Sequence, residues 1–77
     1  MNVLYTMDGC INCYKAKKHL DSYNISYKEI NILEQQEAAN TLINLIGEVY
    51  TPVYVTTNNK ILKGKNILHH QKEDLRA

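Results

Sequence analysis

The sequence predicts an α/β fold with element order β-α-β-α-β-β-α, a four-stranded mixed sheet carrying three helices. Three observations lead there. Short runs rich in β-branched and aromatic residues alternate with longer stretches whose apolar residues recur every three or four positions. The last two short runs are separated only by a turn-forming pair, Asn58-Asn59, so they should form a hairpin. The chain has 77 residues, so residues 1–77 should be a single domain with a small core.

Val3-Leu4-Tyr5-Thr6 reads as the first strand, and Met7-Asp8-Gly9 as a loop. From Cys13, the apolar positions Ala16, Leu20 and Tyr23 mark one face of a helix. Asn24 can end it, because Asn tolerates the left-handed conformation of a C-cap. Ile25 to Ile32 is expected to be the second strand. Glu34 to Ile46 is expected to be the second helix, with Ala39, Leu42, Ile43 and Ile46 as its stripe and Gly47 as its terminator. Pro52 to Thr56 should be the third strand, with proline at the first position, where the missing N–H is tolerated. Lys60 to Lys63 returns as the fourth strand. Asn66 to Arg76 is expected as a last helix with a thin apolar face of Ile67, Leu68 and Leu75. The first two strands, joined through a helix, should be parallel with a right-handed crossover.

Composition narrows the function classes. The formal net charge of +1 predicts neither nucleic acid nor a membrane surface as partner. No run approaches the ~20 apolar residues of a membrane span. Met1 to Tyr5 lacks the basic segment and long apolar stretch of a signal peptide, so the expected location is cytoplasmic. A monomer is the default expectation. In a reducing compartment, two cysteines point to catalysis or metal binding rather than to a structural disulfide.

Both cysteines lie in Cys10-Ile11-Asn12-Cys13, just after the first strand. Thiols three positions apart can close a small disulfide ring. A helix that starts at such a pair favours the thiolate of the first, because its unpaired N–H groups face it. Such a pair is a reversible dithiol/disulfide couple that needs no prosthetic group. Cys10 is the expected nucleophile, its thiolate helped by the N–H groups; Lys15, Lys17 and Lys18 read first as a solvated helix face, with tuning of the thiolate or attraction of an acidic partner as the alternative. Cys13 is the expected resolving thiol. The competing reading is a soft-metal carrier, since two thiolates suit Cu(I). Zinc would need further ligands, and the histidines are His19, His69 and His70, with the last two expected on the surface. A third reading is a protein-binding adaptor whose cysteines act only as a sensor. Tyr14 and Tyr50 adjoin the pair and the proline in sequence and are candidates for a substrate groove.

Taken together, Leu4-Tyr5-Thr6, Gly9-Cys10-x-x-Cys13 with Lys17 and Leu20, Thr51-Pro52-Val53-Tyr54-Val55 and Gly64 resemble the glutaredoxin family. The resemblance covers nearly the whole chain and implies a minimal thioredoxin fold and thiol–disulfide oxidoreductase activity. It implies that Pro52 is cis, although only about 5–6% of X-Pro bonds are. It also implies that Thr51 lies beside Cys10 and that the Gly64 backbone lies near the bound thiol substrate. The partners implied are a disulfide-containing protein substrate, with thioredoxin reductase or glutathione as reductant. The Ile11-Asn12 insert is most similar to the glutaredoxin-like electron donors of ribonucleotide reductase. Typical glutaredoxins have Pro-Tyr or Pro-Phe there. Met7 replaces the lysine with which many members bind a glutathione carboxylate. Lys65-Asn66 replaces a glycine and an acidic residue, and no aromatic residue adjoins Gly64 as in the reductase-donor branch. These departures leave the reductant and the client open. Arsenate reductases and redox-sensing regulators open similarly but are considerably longer.

Overall fold

The computed structural model describes residues 1–71 and 75. Among these, β1 (Val3–Thr6), α1 (Ile11–Ser22), β2 (Lys28–Asn31), α2 (Glu37–Ile46), β3 (Val53–Val55), β4 (Ile61–Lys63) and α3 (Asn66–His69) follow in the expected order. The sheet order is β2-β1-β3-β4. β1 runs parallel to β2 and antiparallel to β3, and β3 runs antiparallel to β4. This is the minimal thioredoxin fold, a four-stranded mixed sheet with three helices.

The register sorts the side chains by face. Leu4, Tyr54 and Leu62 are cross-strand neighbours. They pack with Ala16 and Leu20 of α1, Ile67 of α3, and Ile25 and Leu75. One residue along each strand, Tyr5 and Val53 point the other way, against Ala38 and Leu42 of α2 and Ile32. The sheet is therefore covered on both faces, as strict alternation of side chains requires. Full burial of one such aliphatic side chain contributes about 1.5–3 kcal/mol.

α1 ends as its sequence suggests. Asn24 is left-handed, with φ 57°. Its N–H donates to the Asp21 carbonyl at 3.0 Å, and the Ile25 N–H reaches back to the Leu20 carbonyl at 3.2 Å. Ile25 and Leu20 share a core cluster, the apolar contact that accompanies this helix ending.

That use of Ile25 shortens the second strand, expected from Ile25 but observed from Lys28. The second helix begins at Glu37 rather than Glu34, because the N–H groups of Glu34 and Gln35 both turn back to the Asn31 carbonyl, each at 3.0 Å. Its buried stripe is also rotated by one residue. Ala38 and Leu42 face the sheet with Ile46 beside them, whereas Ile43 is 48% exposed. Beyond β3 the Thr56 N–H donates to the Lys60 carbonyl at 3.0 Å, which leaves a turn of three residues, 57–59, not two. The Asn59 N–H donates to the Thr56 carbonyl at 2.9 Å, and Asn59 is left-handed with φ 65°. The last helix stops at His69, where Asn66–Arg76 was expected. His70 is extended, and Leu75 is helical again, its N–H on the Gln71 carbonyl at 3.2 Å. Positions 72–74 and 76–77 lie outside the described residues. The break lets both Ile67 and Leu75 enter one core cluster. His70 is more than a surface residue: its carbonyl accepts from the His19 ring at 2.9 Å and ties α3 to α1.

Candidate active site

The sequence places α1 immediately after the end of β1, and the loop between them fixes Cys10. Gly9 is left-handed, with φ 80°, and the Cys10 N–H donates to the Met7 carbonyl at 3.2 Å. Cys10 itself is extended (φ −87°, ψ 110°) and caps α1, its Sγ accepting the Cys13 N–H at 3.1 Å. Ser, Thr, Asp or Asn usually fills this role. With sulfur there, the orphan donors of the first helical turn converge on a thiol.

Burial separates the two sulfurs. Cys10 is half-buried and Cys13 buried, and both are free thiols. The partial burial of Cys10 pushes its pKa up. Hydrogen bonds outweigh that effect and bring it below the usual 9.0: they come from the Cys13 thiol, the Cys13 N–H, the Thr51 hydroxyl and the Asn12 N–H. Cys13 goes the other way. Desolvation, together with donation of its S–H to Cys10, pushes its pKa up to about 11. The first proton of the pair therefore leaves from Cys10. No lysine is among the causes, so of the roles weighed for Lys15 and Lys17 the tuning of the thiolate is not seen. The Lys17 Nζ is 3.3 Å from Glu29 Oε2. The same oxygen accepts the Thr6 hydroxyl at 2.8 Å.

Thr51 and Pro52 arrive from the start of β3. Their peptide bond is cis. The Thr51 Oγ1–H donates towards Cys10 Sγ at 3.9 Å. The Pro52 carbonyl accepts the Gly64 N–H at 2.8 Å, which carries the glycine to the same end of the sheet. Gly64 is left-handed, with φ 55°, and a Cβ on it would meet Tyr50 Oη at 2.7 Å. The Tyr50 ring thus lies on the Gly64 backbone, with the Lys63 ammonium 5.6 Å from its centroid. Tyr14 borders the site from α1.

A cleft of about 330 Å³ opens beside both cysteines. Met7, Ile11 and Tyr14 give it an apolar rim, and Asp8, Lys17 and Glu29 supply its charges. The structure therefore brings together Cys10, Cys13, Thr51 and Tyr14. Gly64 stands apart from this cleft, connected through Pro52. The sequence reading missed Thr6 and Glu29. Thr6 is a buried polar residue at the end of an apolar strand, and Glu29 a charge within a strand; both were available signals. No group of three or more His, Cys, Asp or Glu side chains close enough to hold a metal occurs among the described residues.

Residues 2–62 match the family model for glutaredoxin. The chain belongs to the glutaredoxin family. Solved structures share its fold. The thioredoxin-like protein BC3987 is 25% identical with a TM-score of 0.76, the match covering 97% of this chain and 94% of that one. Glutaredoxin (grx-1) from Archaeoglobus fulgidus is 19% identical with a TM-score of 0.73, over 96% of this chain and 79% of that one. A buckwheat glutaredoxin in complex with glutathione is 18% identical with a TM-score of 0.74, over 95% of this chain and 68% of that one. The last two likenesses concern the fold alone. No curated protein sequence matches the chain. Glutaredoxin membership supports a function of the thiol-oxidoreductase type, and the family generally uses glutathione as reductant.

Proposed function

We propose that this glutaredoxin-family chain, acting as one domain, is a dithiol electron carrier that reduces protein or mixed disulfides in the cytoplasm. The observation that carries the reading is the split between the two thiols. Cys10 caps a helix, is partly accessible and loses its proton first, while Cys13 is buried and keeps its proton until about pH 11. Only a thiolate attacks a disulfide, so the split sets the order of events.

The Cys10 thiolate attacks one sulfur of the substrate disulfide. A bond forms between Cys10 Sγ and that sulfur, the substrate S–S bond breaks, and the departing thiolate takes up a proton. Cys13 then gives up its proton and attacks Cys10 Sγ. The Cys10–Cys13 disulfide forms and the second substrate thiolate leaves. Two electrons pass from the dithiol to the substrate. Once Cys10 is bound to substrate its charge is gone. Repulsion between the two sulfurs and the hydrogen bond that holds the Cys13 proton go with it, so Cys13 becomes easier to ionise when it is needed.

Thr51 serves the first step by donating to the thiolate. In this reading Tyr14, which lines the cleft, and the Pro52 and Gly64 backbones, joined at 2.8 Å on the Thr51 side of Cys10, receive different parts of the incoming chain. The reductant is thioredoxin reductase or glutathione. NADPH consumption with oxidised protein, insulin or a mixed glutathione disulfide as acceptor, and one or the other recycling system, tests the reading and assigns the reductant. Turnover in either system is expected. No turnover in both, with Cys10 shown to be free, overturns it.

A further inference from the structure

The cleft beside the thiols carries more negative than positive charge. Asp8 and Glu29 line it, against one cation, Lys17. That cation is already engaged, 3.3 Å from Glu29, and the pair is more than one-third exposed. Among the described residues Asp8 accepts only from the neutral Asn31 side chain, at 2.7 Å, and no cation among them pairs with it. Two neighbouring lysines, Lys18 and Lys63, are engaged elsewhere. Lys18 is held over the Tyr14 ring at 5.5 Å and does not line the cleft. Lys63, on the Tyr50 side, is paired with Glu48 at 2.9 Å. When Cys10 ionises, it adds a further negative charge to the same space. The rim is apolar, with Ile11 at 63% and Tyr14 at 54% exposed.

We propose that this site selects disulfides flanked by basic and apolar residues, and that Asp8 and Glu29 are its specificity-determining carboxylates. The proposal rests on the dithiol reading above and names its substrate class. An anionic disulfide, such as one flanked by carboxylates, meets like charge at the point of attack. A basic one meets opposite charge, with its apolar side chains against Ile11 and Tyr14. Each charge near the reacting sulfurs changes the rate by on the order of threefold at low salt, by Coulomb's law in a solvated cleft.

The test uses three disulfide-linked peptide dimers with blocked termini, whose single cysteine is flanked by lysine, glutamine or glutamate. Reduced protein is mixed with each, the reaction is quenched with acid, and second-order rate constants are read from released thiol. Lysine peptides should react fastest and glutamate peptides slowest. The spread should shrink from 0.01 M to 1 M salt, where the screening length falls from about 30 Å to about 3 Å. E29Q and D8N should each slow the lysine peptide and speed the glutamate peptide about threefold, compressing their ratio about ninefold. Equal rates for the three peptides at low salt, or a faster glutamate peptide, overturn the charge selection while leaving the dithiol reading intact. No reduction of any peptide overturns the dithiol reading and this inference with it.

Discussion

Replacing Tyr54 by phenylalanine probes how the C-terminal segment is held to the sheet. Tyr54 is fully buried in β3, and its hydroxyl donates to the Leu75 carbonyl at 2.6 Å. Y54F keeps the ring and its apolar burial. It removes one donor and strands one buried carbonyl. A hydrogen bond contributes about 1 kcal/mol net, and a buried acceptor left without a donor costs about 1–3 kcal/mol. The expected loss at pH 7 is therefore about 1–3 kcal/mol. In a domain of this size each kcal/mol moves the melting temperature by about 4–8 °C. Urea denaturation and thermal melting measure both quantities. The hydroxyl also has a pH signature. Burial pushes its pKa from 10.0 up to about 12. The unfolded phenol ionises near 10 while the folded one stays neutral, so its contribution is complete below pH 10 and is lost as the pH rises towards 12. The variant has no such group, so the stability gap between the two proteins should narrow over that window. Tyr27, also pushed up to about 12 by burial and by Asp21, is present in both, so its contribution cancels except for the small part that Tyr54, the last of its causes, adds. An unchanged melting temperature at pH 7 would refute the anchoring role. A gap that stays constant or widens above pH 10 would refute the burial argument.

Three further outcomes follow from the site. T51V removes a donor to the Cys10 thiolate, so the Cys10 pKa should rise, read from thiolate absorbance, and the pH–rate midpoint should move up with it. C13S should accumulate a mixed disulfide on Cys10, visible as a mass increase by the substrate thiol, and adding C10S should abolish the adduct. G64A should lose about 1–2 kcal/mol from its left-handed backbone. It should lose more from displacing Tyr50, and the second loss should vanish in a Y50A background; equal losses in the two backgrounds would show that Tyr50 does not press on this glycine.

The site was legible where chemistry and sequence adjacency coincide. Cys10 and Cys13 are three residues apart, so the helix that begins between them dictates their relative position. The element order was legible too, because alternation and three-to-four spacing are local signals. The stripe of α2 was not. Ala38, Ala39, Leu42, Ile43 and Ile46 support either of two faces, and only docking on Tyr5 and Val53 selects Ala38 and Leu42. The last helix misled because its apolar spacing continues past His70, whereas the backbone turns there.

By itself, the sequence determined the fold class, the thiol pair and the family signatures, all carried by residues near one another along the chain. The place of Cys10 at the helix start already named it as the thiol that ionises first, and the family resemblance put Thr51 beside it; tertiary structure supplied the hydrogen bonds and the burial that cause the split, and the rest of the surroundings. Thr51 reaches Cys10 across 41 positions, and Glu29 reaches Thr6 across 23. Burial of Cys13, the pairing of Lys17 away from the thiolate and the charge of the cleft all depend on such long-range placement. Electrostatics falls off with distance in space, and sequence separation does not measure that distance.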